Sequence, residues 1–245
     1  MKTKIQAHRG ASAYCPENTL EAFALAIEQK ADGIELDVHL SKDGQIVVAH
    51  DLQLERVSNG KGLICDYTLS ELKSFSFNKL FPDQKPCRIP ALAEVYDLIK
   101  TSNLILNIEL KTTESLYPGM AEKLVKLTHD FAMDDRVIYS SFNHYSLVEL
   151  QRYNPAAKTG LLYNIGLVDP WVYAGYVKAW AIHPHYYIIA SLPETVQKCH
   201  EKGIVVNVWT ADEPDAIKLM LKCGVDAIIT NKPDVALNCR SSFVA

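Results

Sequence analysis

Glu35, Asp37 and Glu109 are the residues of this chain best placed to do chemistry, because each sits in a strand-like run where a charge has no structural use. In Gly33-Ile34-Glu35-Leu36-Asp37-Val38-His39-Leu40 every even position is aliphatic, and the same holds in Leu104-Ile105-Leu106-Asn107-Ile108-Glu109-Leu110-Lys111. Side chains alternate across a strand, so Glu35 shares a face with Asp37, and Glu109 with Lys111. The aliphatic face must be packed, under helices, and the carboxylates then face a second interior where an unpaired charge is costly. Three acids in an interior need a cation. A ligand set of oxygens alone favours a hard divalent ion, Mg²⁺ or Ca²⁺, over zinc. Pairing with Arg9 and Lys111 as a structural ion network is the competing reading, weakened because buried ion pairs rarely add stability.

The elements that must hold these residues alternate in type. Strand-like runs fall at 4–8, 33–39, 46–50, 104–110, 137–141, 159–163, 179–183, 204–209 and 226–229. Between them lie amphipathic helices. Residues 19–30 put Leu20, Phe23, Ala24 and Ile27 on one face behind an Asn18/Glu21 capping arrangement, and 91–100 follow Pro90. Later helices are expected to open at Asp169-Pro170, at Ser191-x-x-Glu194 and at Asp212-x-x-Asp215, with Gly203 as a C-terminal cap. Repeated β-α alternation means a parallel sheet. The link at 40–45 holds an Asp43-Gly44 turn and is too short for a parallel crossover, so 33–39 and 46–50 form an antiparallel hairpin. Eight strands remain, which predicts a single-domain (β/α)₈ barrel over 1–245 with a small, turn-rich insertion at about 41–89 after strand 2. In such a barrel the active site gathers at the C-terminal strand ends. His8 ends the first strand there, Glu35 and Asp37 the second, Glu109 the third and Trp209 the seventh.

Bulk properties narrow the partners. The chain has 245 residues, 48% hydrophobic and 22% charged, with a formal net charge of −4. That balance gives no electrostatic case for nucleic acid or an acidic membrane, so an anionic ligand must be held locally. Met1-Lys2-Thr3-Lys4 runs straight into a strand without a signal-peptide pattern, and no apolar run is long enough for stable membrane insertion. Six cysteines without CxxC or zinc-type spacing are expected to be reduced thiols in a cytoplasmic protein.

Taken in order, the motifs resemble the glycerophosphodiester phosphodiesterase family, a phospholipase C-like barrel type. They are His8-Arg9-Gly10, Pro16-Glu17-Asn18-Thr19, Glu35-x-Asp37, Asp43-Gly44, His50-Asp51, Glu109-x-Lys111, Ser141-Phe142 and Val208-Trp209-Thr210. The match covers nearly the whole chain. Cys15 departs from a common small residue, and Asn231 stands where many members have aspartate; both lie at motif edges. The resemblance implies that His8 and His50 are acid and base, without saying which is which, and histidine alone titrates near neutral pH unaided. Arg9 and Lys111, with one divalent cation on Glu35, Asp37 and Glu109, would stabilise charge building on a phosphodiester. Glu17 opens the first helix and could orient Arg9 or a histidine, while Trp209 and Phe142 would wall the glycerol carbons. His39 is expected on the exposed hairpin. His183 and His185 are read as structural first and pocket-lining second, and His129, His144 and His200 as surface residues.

The implied reaction is hydrolysis of small glycerophosphodiesters, such as glycerophosphocholine or glycerophosphoethanolamine, to sn-glycerol 3-phosphate and an alcohol. Direct attack by water and a cyclic phosphate route both fit, and a homodimer is left open. Three rivals are a lipid-active phospholipase D-like or phosphoinositide-specific phospholipase C-like barrel, a non-catalytic phosphodiester-binding barrel, and a metal-dependent lyase on the same fold. A lipid-active enzyme, whether acting on lysophospholipids or larger lipids, needs an apolar rim or anchor, and no apolar cluster stands out in the loops. Both histidines and all three acids are present, which argues against the other two.

Overall fold

The computed structural model describes residues 2–113 and 116–243. Its strands are β1 (Lys4–His8), β2 (Gly33–Leu40), β3 (Ile46–Val48), β4 (Ile105–Leu110), β5 (Val137–Ser141), β6 (Lys158–Tyr163), β7 (Ala181–Pro184), β8 (Val205–Val208) and β9 (Ala227–Thr230). The helices are α1 (Leu20–Glu28), α2 (Leu69–Leu72), α3 (Leu92–Ile99), α4 (Met120–Asp130) and α5 (His144–Tyr153), followed by α6 (Pro170–Tyr176), α7 (Tyr186–Ser191), α8 (Glu194–Glu201), α9 (Pro214–Cys223) and α10 (Pro233–Ser242).

All strands but β3 are parallel, and pairing of β1 with both β9 and β2 closes them into an eight-stranded barrel. The (β/α)₈ architecture implied by the alternation is the one observed. β3 pairs antiparallel with the end of β2, Val38 opposite Val48, as the short link demands. The aliphatic face of each strand (Ile34, Leu36, Val38, Leu106, Ile108 and Leu110 among others) packs beneath the helices in one continuous core.

The barrel interior is unusually polar. Gln6, Asn107, Ser140, His183 and Asn207 are all buried. Ser140 Oγ donates to Asn107 Oδ1 at 2.9 Å, and Asn207 Nδ2 donates to His183 Nε2 at 2.9 Å. His183 has room only because residue 160 is glycine: a Cβ there would lie 2.3 Å from His183 Nε2.

Residues 41–89 leave the barrel after β2 and carry a small core of their own, Val47, Ala49, Leu54, Val57, Ile64, Leu72, Phe77 and Ile89. The Ala49 N–H donates to the Asp37 carbonyl at 3.0 Å, which pins this segment beside the C-terminal end of β2.

Four local expectations differ from the structure. Ser191 ends α7 rather than opening α8, which begins behind Pro193. Thr19, not Asn18, caps α1, accepting from Ala22 N at 3.3 Å; Asn18 takes a left-handed backbone (φ +57°) and turns inward. α9 begins behind Glu213 rather than Asp212, whose carboxylate is taken by Thr230 and Asn231. His39 is buried, not on an exposed hairpin, because its ring is held between the His50 carbonyl and Tyr117.

Candidate active site

Parallel register brings the acids together. Asp37 lies beside Glu109, Glu35 beside Asn107, and His8 beside Glu35 on adjoining strands. One oxygen from each of Glu35, Asp37 and Glu109 lies within 4.8 Å of the others, all three residues being buried. Arg9 Nε stands 3.4 Å from Asp37 Oδ2, and Lys111 Nζ stands 2.9 Å from Glu109 Oε1 and 3.7 Å from Asp37 Oδ1. The backbone N–H of Arg9, another left-handed residue (φ +55°), donates to Glu35 Oε2 at 3.0 Å.

The electrostatics are unbalanced toward negative charge. Burial, then Asp37 and Glu109, push the Glu35 carboxyl well above its ordinary value, and burial with Asp37 pushes Glu109 up to about 7. Burial acts on Asp37 the same way, but Arg9 and Lys111 outweigh it and hold that carboxyl below the usual range. Asp37 Oδ1 is buried and has no hydrogen bond. Crowded carboxylates with an unclaimed buried oxygen are what a divalent cation would satisfy, and the oxygen-only donor set suits a hard ion. The residues present therefore fit one cation, held by Glu35, Asp37 and Glu109.

Two histidines face this cluster, each with one ring nitrogen engaged. Asn231 Nδ2 donates to Asp212 Oδ2 at 2.6 Å, which leaves its Oδ1 to accept from Ser12 Oγ and from His8 Nδ1, each at 2.7 Å. The network thus puts the His8 proton on Nδ1 and turns Nε2 inward, 3.9 Å from Glu35 Oε2. His50 Nδ1 donates to Asp51 Oδ1 at 2.6 Å. Burial, then Arg9, lowers His8 to about 4; burial also lowers His50, against the pull of Asp37.

Behind them stands an ion network. Arg56 binds Asp51, and reaches Glu17 through two bonds of 2.9 and 2.6 Å, while Glu17 Oε1 accepts from Arg9 Nη1 at 2.9 Å. Of its two anticipated partners Glu17 therefore takes Arg9, not a histidine. On the opposite side Phe142 and Trp209 meet edge to face, centroids 5.4 Å apart, and Trp209 Nε1 donates to the His183 carbonyl at 2.8 Å. The cavity between these walls has a volume of about 110 Å³ and is lined by His8, Arg9, Lys111, His50, Phe142 and Trp209 along with Glu35 and Glu109. A larger cavity of about 520 Å³ opens at the other end of the barrel around Lys4, Gln6 and Trp180, away from every one of these groups.

This acid, histidine and cation-binding geometry has relatives. Residues 8–235 match the Glycerophosphoryl diester phosphodiesterase family. The chain belongs to that family. It is 45% identical over 242 residues (97% of this chain, 98% of the other) to a glycerophosphodiester phosphodiesterase of Caldanaerobacter subterraneus. A second such protein, from Bacillus altitudinis, is 39% identical over 243 residues, covering 98% and 99% of the two chains. Among solved structures, an Oleispira antarctica phosphodiesterase in complex with its product sn-glycerol-3-phosphate superposes with a TM-score of 0.91, at 27% identity and 98% coverage of each chain.

Sequence reasoning about this family member missed several supports. Asn18 Nδ2 donates to Asp37 Oδ2 at 2.8 Å, so the residue expected to cap a helix orients a carboxylate of the cluster. His39 Nε2 bonds the His50 carbonyl at 3.1 Å and its Nδ1 meets Tyr117 Oη at 2.9 Å, which makes it a positioning residue for His50. Asn231, set aside as a motif edge, is the direct partner of His8. His144 is only half-exposed, held by the Leu162 carbonyl at 2.9 Å and Tyr173 Oη at 3.0 Å. His183 is sealed inside the barrel, outside the cavity lining. Leu116, Ile165 and Val168 are exposed on loops that follow barrel strands, and Tyr145 and Tyr187 are exposed in the first turns of α5 and α7.

Proposed function

We propose that this chain hydrolyses glycerophosphodiesters to sn-glycerol 3-phosphate and an alcohol, with glycerophosphocholine and glycerophosphoethanolamine as typical substrates. One observation carries the reading: two histidines, each with Nδ1 engaged, converge on a cavity lined by Glu35 and Glu109 of the three-carboxylate cluster and flanked by Arg9 and Lys111. The Oleispira relative, described with glycerol 3-phosphate as its product, supports the same chemistry.

Arg9 and Lys111 bind the phosphate and offset the charge that gathers on its oxygens in the transition state. Glu35, Asp37 and Glu109 hold one Mg²⁺ or Ca²⁺, which when bound supplies Lewis-acid stabilisation to that same charge. Asp51 on Nδ1 makes His50 the stronger proton acceptor, suiting it to take the proton of the attacking hydroxyl. His8 is backed by a neutral amide, so its imidazolium is the readier donor to the leaving alkoxide. Glu17 keeps the Arg9 guanidinium in place, and Phe142 and Trp209 form the apolar wall for the glycerol carbons. Attack by water and attack by a glycerol hydroxyl both satisfy this arrangement.

Among the described residues no helix is long and apolar enough to cross a membrane. All six cysteines are unpaired. We therefore place the protein in the cytoplasm, acting on a small molecule rather than nucleic acid. The test is release of glycerol 3-phosphate from glycerophosphocholine, with and without EDTA, through a coupled dehydrogenase. Metal-dependent release is the expected result; no release with any added cation would sink the reading.

A further inference from the structure

The end of the barrel opposite the catalytic mouth holds the cavity of about 520 Å³, a size within the roughly 300–1,000 Å³ common for small-molecule sites, and it shares no lining residue with the catalytic cavity. Its outer edge is basic: Lys4 opens β1, Lys158 opens β6 and Arg136 stands just before β5. Lys158 Nζ donates to the Asp135 carbonyl at 3.1 Å, and Arg136 donates to the carbonyls of Leu104 and Ile99 at 3.1 and 2.9 Å, so neither spends its charge on a carboxylate. Lys4 likewise has no carboxylate partner among the described residues. Two of the three carboxylates at this edge are already taken, Asp32 by Arg240 and the Ile5 N–H, and Asp226 by His200 and the Val206 N–H. The middle of the wall is apolar, formed by Ile105, Ile138 and the half-buried Trp180, with Lys158 Nζ 5.9 Å from the centre of the indole ring. The inner end is polar. Side chains alternate along β1, so with Ile5 and Ala7 in the outer core Gln6 follows Lys4 into the interior. Gln6 is only 3% exposed, and its Oε1 is buried without a hydrogen-bond partner. A buried acceptor with no donor is costly, and the fold supplies none.

We propose that this cavity binds a small hydroxylated aromatic acid, its carboxylate against Lys4 and Lys158, its ring beside Trp180 and its hydroxyl donating to Gln6 Oε1. The order of groups in such a molecule matches the order along the wall: anion for the basic edge, flat apolar body for the middle, donor for the inner end. Gln6 stands two residues inward of Lys4, roughly 7 Å along the strand, a span that one substituted ring covers. The carboxylate offsets charges that the fold leaves unpaired, and the hydroxyl satisfies an acceptor that is otherwise buried alone. A purely apolar occupant would leave both unmet. No group of the catalytic cavity takes part, so the site stands or falls independently of the reaction proposed above.

Isothermal titration calorimetry of the whole protein with 4-hydroxyphenylacetate tests this. Phenylacetate, which lacks the hydroxyl, and 4-hydroxyphenylethanol, which lacks the charge, are titrated for comparison. The variants are Gln6→Leu, Lys4→Gln and Lys158→Gln, with Lys111→Gln as the control for the catalytic cavity. Both edge lysines reach solvent, so their variants keep the fold and carry the test even where Gln6→Leu does not. The expected result is saturable one-to-one binding of 4-hydroxyphenylacetate by the native chain and by Lys111→Gln. Each edge-lysine variant, Gln6→Leu and each comparison compound should weaken it by about threefold or more, and the two lysine changes together by about tenfold. Absence of saturable binding overturns the proposal, as does native affinity in the double lysine variant. Equal affinity for phenylacetate and 4-hydroxyphenylacetate removes the Gln6 contact and with it the assigned ligand class. Binding lost in Lys111→Gln but kept in the edge variants would put the acid in the catalytic cavity and overturn the second site.

Discussion

Between Lys42 and Arg88 the excursion beside β2 carries thirteen Asp, Glu, Lys and Arg residues, whereas residues 142–148, 164–177 and 185–193, which follow β5, β6 and β7, carry Asp169 alone. The charged side fixes groups by giving each a partner: Asp51 for His50, Glu17 for Arg9, and Arg56 spanning both carboxylates. The uncharged side offers shape and apolar surface through Phe142 and Trp209. In the proposed reading the proton-transfer groups and the apolar wall lie on opposite sides of one opening, so a change on one side should register in a different observable from a change on the other.

The largest effect should come from the floor between the two sides. Chelation with EDTA is expected to bring turnover to background, and added Mg²⁺ or Ca²⁺ to restore it; a chelated enzyme that keeps working would remove the cation from the reading. On the charged side, His50→Ala should lower kcat by roughly two to four orders of magnitude with the melting temperature little changed, and near-native kcat would take His50 out of the mechanism. Asn18→Ala should weaken the apparent cation affinity by about 10–100-fold, because it frees the Asp37 carboxylate it orients. A cation titration unchanged from the native chain would assign Asn18 to the backbone turn alone. Under the uncharged side, Gly160→Ala drives a Cβ against His183 and should destabilise the fold by about 1–3 kcal/mol, with turnover of the soluble substrate retained. Denaturant unfolding measures it, and an unchanged midpoint would mean the ring moves freely.

Acid should separate the sides further. Burial lowers His183 to about 3, while burial lowers His39 to about 4 despite its bond to the His50 carbonyl. The folded chain prefers both rings neutral, so their contribution to stability is full above the unfolded value near 6.5 and is lost as pH falls from there toward 4 and 3. Imidazole NMR signals should show His183 neutral at pH 5. A ring already protonated there would contradict its sealed place in the barrel.

The barrel was legible because alternation is a local signal: Ile34, Leu36 and Val38, or Leu106, Ile108 and Leu110, declare a packed face within a single strand. The three acids were legible for the same reason. What stayed hidden depends on contacts between distant segments. Asn18 looks like a helix cap until α1 docks and its amide meets Asp37. His39 looks like a hairpin residue until the His50 carbonyl and Tyr117 meet its ring. Asp51 and Arg56 stand near His50 in sequence, yet the hold of Arg56 on Glu17 requires the excursion to turn back toward α1.

The separate core of residues 41–89 has a consequence for heat. His50 directly follows Ala49 of that small cluster, and beyond β3 the segment is tied to the rest of the chain through polar bonds, Ala49 N to the Asp37 carbonyl, His39 to the His50 carbonyl and Arg56 to Glu17. Local units with few buried contacts open at a smaller free-energy cost than the body they adjoin. Warming should therefore withdraw one of the two histidines while the eight strands remain paired, and the temperature of half-inactivation should fall below the temperature of half-unfolding.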